Sequence, residues 1–138
     1  MPKVPSDYLH PANEDPLMRF ACLVYFDPKT MFGQSAEANA VLAETGPYNH
    51  ELTASGHRLS GEALVLPDEA TTVRVRNGKM SATDGPFMET KEVLGGFIMI
   101  DARDLDEAVQ LAARNPMARL GAVEVRPVVD FTKPRPTL

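Results

Sequence analysis

A single cysteine, Cys22, occurs in the 138 residues, so the chain cannot form a disulfide within itself. That is the pattern of a protein kept in a reducing compartment. Cys22 falls in an apolar stretch, where a small buried side chain is the simpler reading than a nucleophile. Basic charge is also scarce: 14 Lys and Arg stand against 19 Asp and Glu, for a net charge of −5. With no Lys/Arg run to offset that balance, direct binding of nucleic acid or of an anionic membrane is disfavoured. Long hydrophobic runs are missing as well. No segment approaches the length of a membrane span, and Met1-Pro2-Lys3-Val4-Pro5-Ser6-Asp7 lacks the apolar core of a signal peptide, so a cytoplasmic protein is expected. No G-x-S-x-G elbow, Walker A loop or G-x-G-x-x-G run is present, and no close His/Cys/carboxylate set has metal-ligand spacing. Neither a metal nor an organic cofactor is expected.

What is present suffices for one domain. A hydrophobic content of 43% gives a real core at this length, while two ordinary domains would need a longer chain. Residues 1–17, with Pro2, Pro5, Pro11 and Pro16 among polar neighbours, read as an N-terminal extension. Residues 132–138, with Pro134 and Pro136, read as a tail. The domain proper is expected over 18–131.

Within it, Met18 to Phe26 is a nearly continuous apolar run, as in a strand covered on both faces, and Asp27-Pro28 ends it. Ser35 to Ser55 carries a helical stripe of Ala38, Val41, Leu42, Tyr48 and Leu52 that Gly56 closes; Pro47 predicts a kink or a restart. His57 to Leu66 reads as a second strand. Val73 and Val75 alternate with Arg74 and Arg76 before Asn77-Gly78, the preferred residues of a two-residue hairpin turn, and Lys79 to Thr83 returns. Leu94 to Asp101 is again apolar on both faces. Gly95-Gly96 inside it marks a close backbone approach rather than a phosphate loop. Asp104 and Glu107 begin a second helix in capping-box fashion, Asn115-Pro116 stops it, and Ala122 to Asp130 forms the last strand.

That order is an α+β, ferredoxin-like split βαβ sandwich with a hairpin inserted before its third core strand. Two helices cover one sheet face only. Because the first and third core strands are apolar on both sides, the other face calls for a cover, and a second copy of the chain supplies it most simply. A homodimer is therefore expected.

Between the hairpin and the third core strand lies Thr83-Asp84-Gly85-Pro86-Phe87-Met88-Glu89-Thr90-Lys91-Glu92, where Asp84-Gly85-Pro86 forces a turn. With Thr71 to Arg76 before it and Leu94-Gly95-Gly96-Phe97 after it, this run resembles the DGPF-domain branch of the YCII-related family over roughly residues 18 to 130. The resemblance implies a dimeric α+β barrel, with two sheets face to face and clefts near the interface. It also implies, for members thought to be enzymes, a catalytic histidine near the middle of the first helix paired with an aspartate. Counting back from Gly56, that place falls near Thr45, and His50 lies on a different turn.

The loop offers the candidate chemistry. Asp84 reads either as a general acid or base, tuned by the apolar Phe87, or as the cap of its own turn with Phe87 plugging the core. Lys91 reads either as the holder of an anionic group, oriented by Glu89 or Glu92, or as a solvated loop charge. Thr83 and Thr90 add hydroxyls for a ligand or for loop closure. Tyr48 and Arg126 are further candidates to line a cleft, with a core role for Tyr48 and pairing on the Glu124 side for Arg126 as the alternatives.

Two functions fit these residues. One is a cofactor-independent enzyme acting on a small molecule by proton transfer, isomerisation or elimination, with Asp84 and Lys91 as its catalytic pair. The other is a noncatalytic ligand-binding or regulatory module, which the resemblance associates with sigma-factor-dependent transcription.

Overall fold

The computed structural model describes residues 17–134. The N-terminal extension expected over 1–17 lies outside that range except for Leu17, and so does the C-terminal tail beyond residue 134. Strands β1 (Met18–Phe26), β2 (Arg58–Ala63), β5 (Val93–Ala102) and β6 (Gly121–Pro127) form one sheet in the order β2-β5-β1-β6. Every neighbouring pair is antiparallel. Among the described residues, strands β3 (Thr71–Arg76) and β4 (Lys79–Asp84) pair only with each other. This is the α+β, ferredoxin-like arrangement that the sequence predicts, with the hairpin standing apart from the main sheet.

Helices α2 (Ala36–Ala54) and α3 (Leu105–Ala113) pack on one face. Phe20, Cys22, Val24 and Phe26 of β1 and Ile98, Ile100 and Ala102 of β5 meet them there as a buried core. Alternate residues Ala21, Leu23, Tyr25, Phe97 and Met99 point to the opposite face, which none of the described elements covers, and are half-buried by their neighbours.

Local chemistry explains where the helices begin and end. The Ser35 hydroxyl accepts from the Ala38 N–H at the start of α2, and Asp104 accepts from Glu107 at the start of α3. Glu107 reaches back to the Arg103 amide, so the capping-box reading holds with its return bond one residue earlier. A short helix that the periodicity did not announce, α1 (Pro28–Met31), follows β1; Asp27 caps it and Met31 is fully buried. The strand does end at Asp27-Pro28, because the same proline starts the helix.

Pro47 does not restart α2, which is a single element. Side-chain donors feed the carbonyls on either side of the missing backbone bond: Thr45 Oγ1 donates to Val41 O at 3.0 Å, and Asn49 Nδ2 to Thr45 O at 3.1 Å. Tertiary bonds also hold the helix down. Tyr48 donates to Leu111 O at 2.8 Å, Arg119 forks onto Glu44 at 2.9 and 3.0 Å, and Arg114 meets Glu51 at 2.8 Å.

Candidate functional site

A cavity of about 180 Å³ opens between the middle of α2 and the β2 edge of the sheet. Its floor is nearly free of side chains. Gly61 and Gly96 occupy helix-facing positions, Gly61 opposite Ile98 and Gly96 between Ala63 and Val24. A Cβ on Gly96 would come within 2.8 Å of Glu62 O, which is the close backbone approach read from Gly95-Gly96. Val24, Phe26, Ile98 and Met117 give apolar walls, and Thr45 and Asn49, one turn apart on α2, line the roof.

Arg58 reaches this cavity through an irregularity. Between Arg58 and Ser60 the pairing with β5 shifts, with Arg58 opposite Ile100 and Ser60 opposite Met99, so that Leu59 is an extra residue. Strict alternation would put Arg58 on the same face as Ser60. The bulge instead turns it to the helix side, a common use of bulges beside binding sites. Its guanidinium lies against Gly61, with Nη2 donating to Gly61 O at 3.2 Å. A Cβ at residue 61 would stand 3.0 Å from that nitrogen.

Two polar atoms of the cavity's residues are buried without a hydrogen-bond partner, the donor Nε of Arg58 and the acceptor Oδ1 of Asn49. Buried unsatisfied groups of this kind are rare in folded proteins and each costs about 1–3 kcal/mol. No charged partner lies within ion-pair range of Arg58 among the described residues. Asn115, only 3% exposed, completes the lining; its Oδ1 accepts from the Met117 amide.

The loop singled out in the sequence lies elsewhere. Gly85, at φ 105°, donates to Ala70 O at 2.7 Å and accepts from the Thr72 hydroxyl at 2.8 Å, so backbone and Thr72 hold the turn. Asp84 and Thr83 end β4 in exposed positions opposite Thr71 and Thr72. Phe87 does not plug the core: it is 68% exposed, with the Arg74 guanidinium 5.2 Å from its ring centre. Phe87 and Thr90 line a broad apolar cleft of about 860 Å³ with Tyr25, Leu64, Val73 and Leu94. Lys91 lines a separate polar cavity of about 550 Å³ with Asp27, Thr30, Thr90, Glu92 and Leu120. Glu89 is exposed nearby, and the Thr90 hydroxyl donates to Glu92 O.

Tyr48 and Arg126 have local partners. Burial raises the Tyr48 phenol to about 12, and its hydroxyl is committed to Leu111 O. Arg126, on the uncovered face, pairs with Glu124 at 2.9 Å, and that bond raises its pKa. Burial likewise pushes the Cys22 thiol up to about 11, far from a reactive thiolate. Among the described residues no group of three or more His, Cys, Asp or Glu is placed to hold a metal ion, and no helix is long and apolar enough to cross a membrane.

Sequence reasoning therefore missed Arg58 and Asn49. Asn49 was hidden inside an ordinary helix stripe, and Arg58 was hidden because alternation cannot show a bulge. The one available signal was glycine, since Gly61, Gly95 and Gly96 all lie in β-strand stretches. Thr45, where the resemblance placed a histidine, does line the cavity.

The sequence pattern of the YCII-related domain matches residues 18–132. An uncharacterised protein of Rhizobium meliloti (strain 1021) is 34% identical over 117 residues, which span 83% of this chain and 94% of that protein.

Proposed function

The chain belongs to the YCII-related domain family, and from that premise we propose that it binds a small molecule in the cavity beneath α2 and works as a homodimer joined through the uncovered sheet face. One observation carries the binding reading: Arg58 Nε and Asn49 Oδ1 are buried unpartnered on residues that line the same cavity. A bound molecule toward which the two side chains turn satisfies both and recovers what their burial costs. The glycine floor favours the same reading, because longer side chains at the helix-facing positions 61 and 96 would project toward α2.

Binding without turnover is the form this geometry supports. Where the resemblance places a catalytic imidazole, this chain has Thr45, and its hydroxyl already donates to Val41 O. The acid–base group among the lining residues is Glu62, exposed on the edge strand. The dimer rests on apolar surface: Leu23, Tyr25, Phe97 and Met99 on the uncovered face, with Leu64, Val65, Phe87 and Met88 exposed beside it.

A metabolite panel read by thermal shift tests the binding reading, with Thr45→Phe as a variant that fills the cavity. Stabilisation by a panel member, lost in the variant, is the expected result. A panel that stabilises neither protein, or stabilises both equally, contradicts it.

A second reading, catalysis at the 84–92 loop with Asp84 as acid or base and Lys91 as anion holder, draws support from the polar cavity beside Lys91. Asp84→Asn and Lys91→Met separate the two. Under the binding reading both variants keep the wild-type ligand response, and under the catalytic reading turnover falls in both.

A further inference from the structure

We infer that the ligand of the cavity beneath α2 is a small carboxylate with a hydroxyl next to the carboxyl group and a compact apolar body. The inference rests on the ligand-site reading above and adds the chemistry of the occupant. Each part answers to a feature of the cavity. Arg58 brings a positive charge and an unpaired Nε–H, held in place by its single bond to Gly61 O. A guanidinium in this state is best satisfied by a planar oxyanion, which takes N–H donors side by side.

Asn49 asks for the opposite partner. Its Nδ2 is spent on Thr45 O, and its Oδ1 is a buried acceptor with no donor. A simple carboxylate leaves that oxygen unsatisfied, whereas a neighbouring hydroxyl supplies the proton. An ammonium group would serve Asn49 as well, but it would bring a second cation up to Arg58. The apolar walls of Val24, Phe26, Ile98 and Met117 then take a hydrocarbon body.

Size sets the upper limit. An apolar cavity of about 150 Å³ accepts benzene, so about 180 Å³ accepts a single ring or branched chain with its polar head. A bulky phosphate ester would overfill the space and would meet one cation only. Glu62 also lines the cavity, but its register opposite Phe97 turns its side chain to the other face of the sheet, away from an anion held there.

Titration calorimetry with three matched pairs of probes tests the assignment. Lactate and mandelate carry both groups, propionate and phenylacetate lack the hydroxyl, and lactamide and mandelamide lack the charge. The expected order is hydroxy acid tightest, with the amides weaker by about tenfold or more and the plain acids weaker by about twofold to tenfold. Arg58→Met should weaken the hydroxy acids far more than the amides, so that the gap between the two closes. Should that variant fail to fold, the wild-type series decides alone. Amides that bind as tightly as the acids overturn the inference, as does a hydroxy-acid set that binds nowhere. If the metabolite panel still yields a ligand that Thr45→Phe excludes, only the ligand class is wrong; if it yields none, the ligand-site reading falls with it.

Discussion

The ring of Phe26 fills the space that a side chain on residue 95 would occupy. Gly95 is the extra residue where the pairing of β1 with β5 shifts, between Val24 opposite Gly96 and Tyr25 opposite Leu94. The alternation of β1 already points Phe26 inward, and Gly95 leaves room for its ring, which packs edge-on against Phe32, with ring centres 5.5 Å apart, and forms one wall of the cavity. Gly95→Ala should therefore force the ring aside and destabilise the fold by about 1–3 kcal/mol. Urea denaturation measures it, and an unchanged midpoint would show that the ring moves freely.

The hairpin turn makes a second, separate prediction. Asn77 and Gly78 have φ of 53° and 75°, the left-handed pair of a type I′ turn. A β-branched side chain resists that conformation, so Gly78→Val should cost about 1–3 kcal/mol of backbone strain. Because β3 and β4 pair only with each other, the loss should show first as faster amide exchange in Thr71–Arg76 and Lys79–Asp84, with the main sheet less affected.

The Gly95 bulge and the Asn77-Gly78 turn mark what could be read from the sequence. Asn77-Gly78, Asp104 with Glu107, and Gly95-Gly96 each carry a local backbone or capping requirement that few other residues meet, so they were legible without tertiary context. Val123 and Val125 alternate with Glu124 and Arg126 in the sequence, and both pack against the core from β6. Other features depend on partners distant in the chain. The Leu59 bulge that turns Arg58 inward, and the tertiary bonds to Glu44, Tyr48 and Glu51 that hold α2 down on either side of Pro47, exist only in the assembled structure. Phe87 misled for a related reason: an aromatic in a turn suggests burial, yet Arg74 stacks on it in the open. The cavity was thus visible only as glycines inside strand stretches.

Alkaline pH should weaken the fold through two buried groups. The Cys22 thiol rises from its ordinary 9.0 to about 11 through burial, and the Tyr48 phenol from 10.0 to about 12 through burial and then the nearby Cys22 charge. In both, the folded state holds the proton more tightly than the unfolded chain. The associated stability is complete below about pH 9 and is lost as pH rises through about 9 to 12. Urea midpoints at about pH 8 and about pH 10.5 should fall in that order for the wild type. Cys22→Ala should show a smaller fall, and an equal fall would mean the thiol does not contribute.

The uncovered sheet face predicts the assembly. Phe97 lies on that face between Leu23 of β1 and Glu62 of β2. A dimer joined there should bury more than about 1,000 Å² and persist at micromolar concentration. Phe97→Glu places a charge inside the joint and should give monomers with an intact fold. Light scattering reads both masses, and a monomeric wild type would remove the sheet face as an interface.

The most direct test of a ligand site beneath α2 is a crystal structure of the protein with the compound that stabilises it best. Density bounded by Thr45, Asn49 and Arg58 above the Gly61–Gly96 floor is the predicted result, with a ligand acceptor on Arg58 Nε and a ligand donor on Asn49 Oδ1. Density for the compound at the 84–92 loop or on the uncovered sheet face, with the space beneath α2 holding only water, would contradict it.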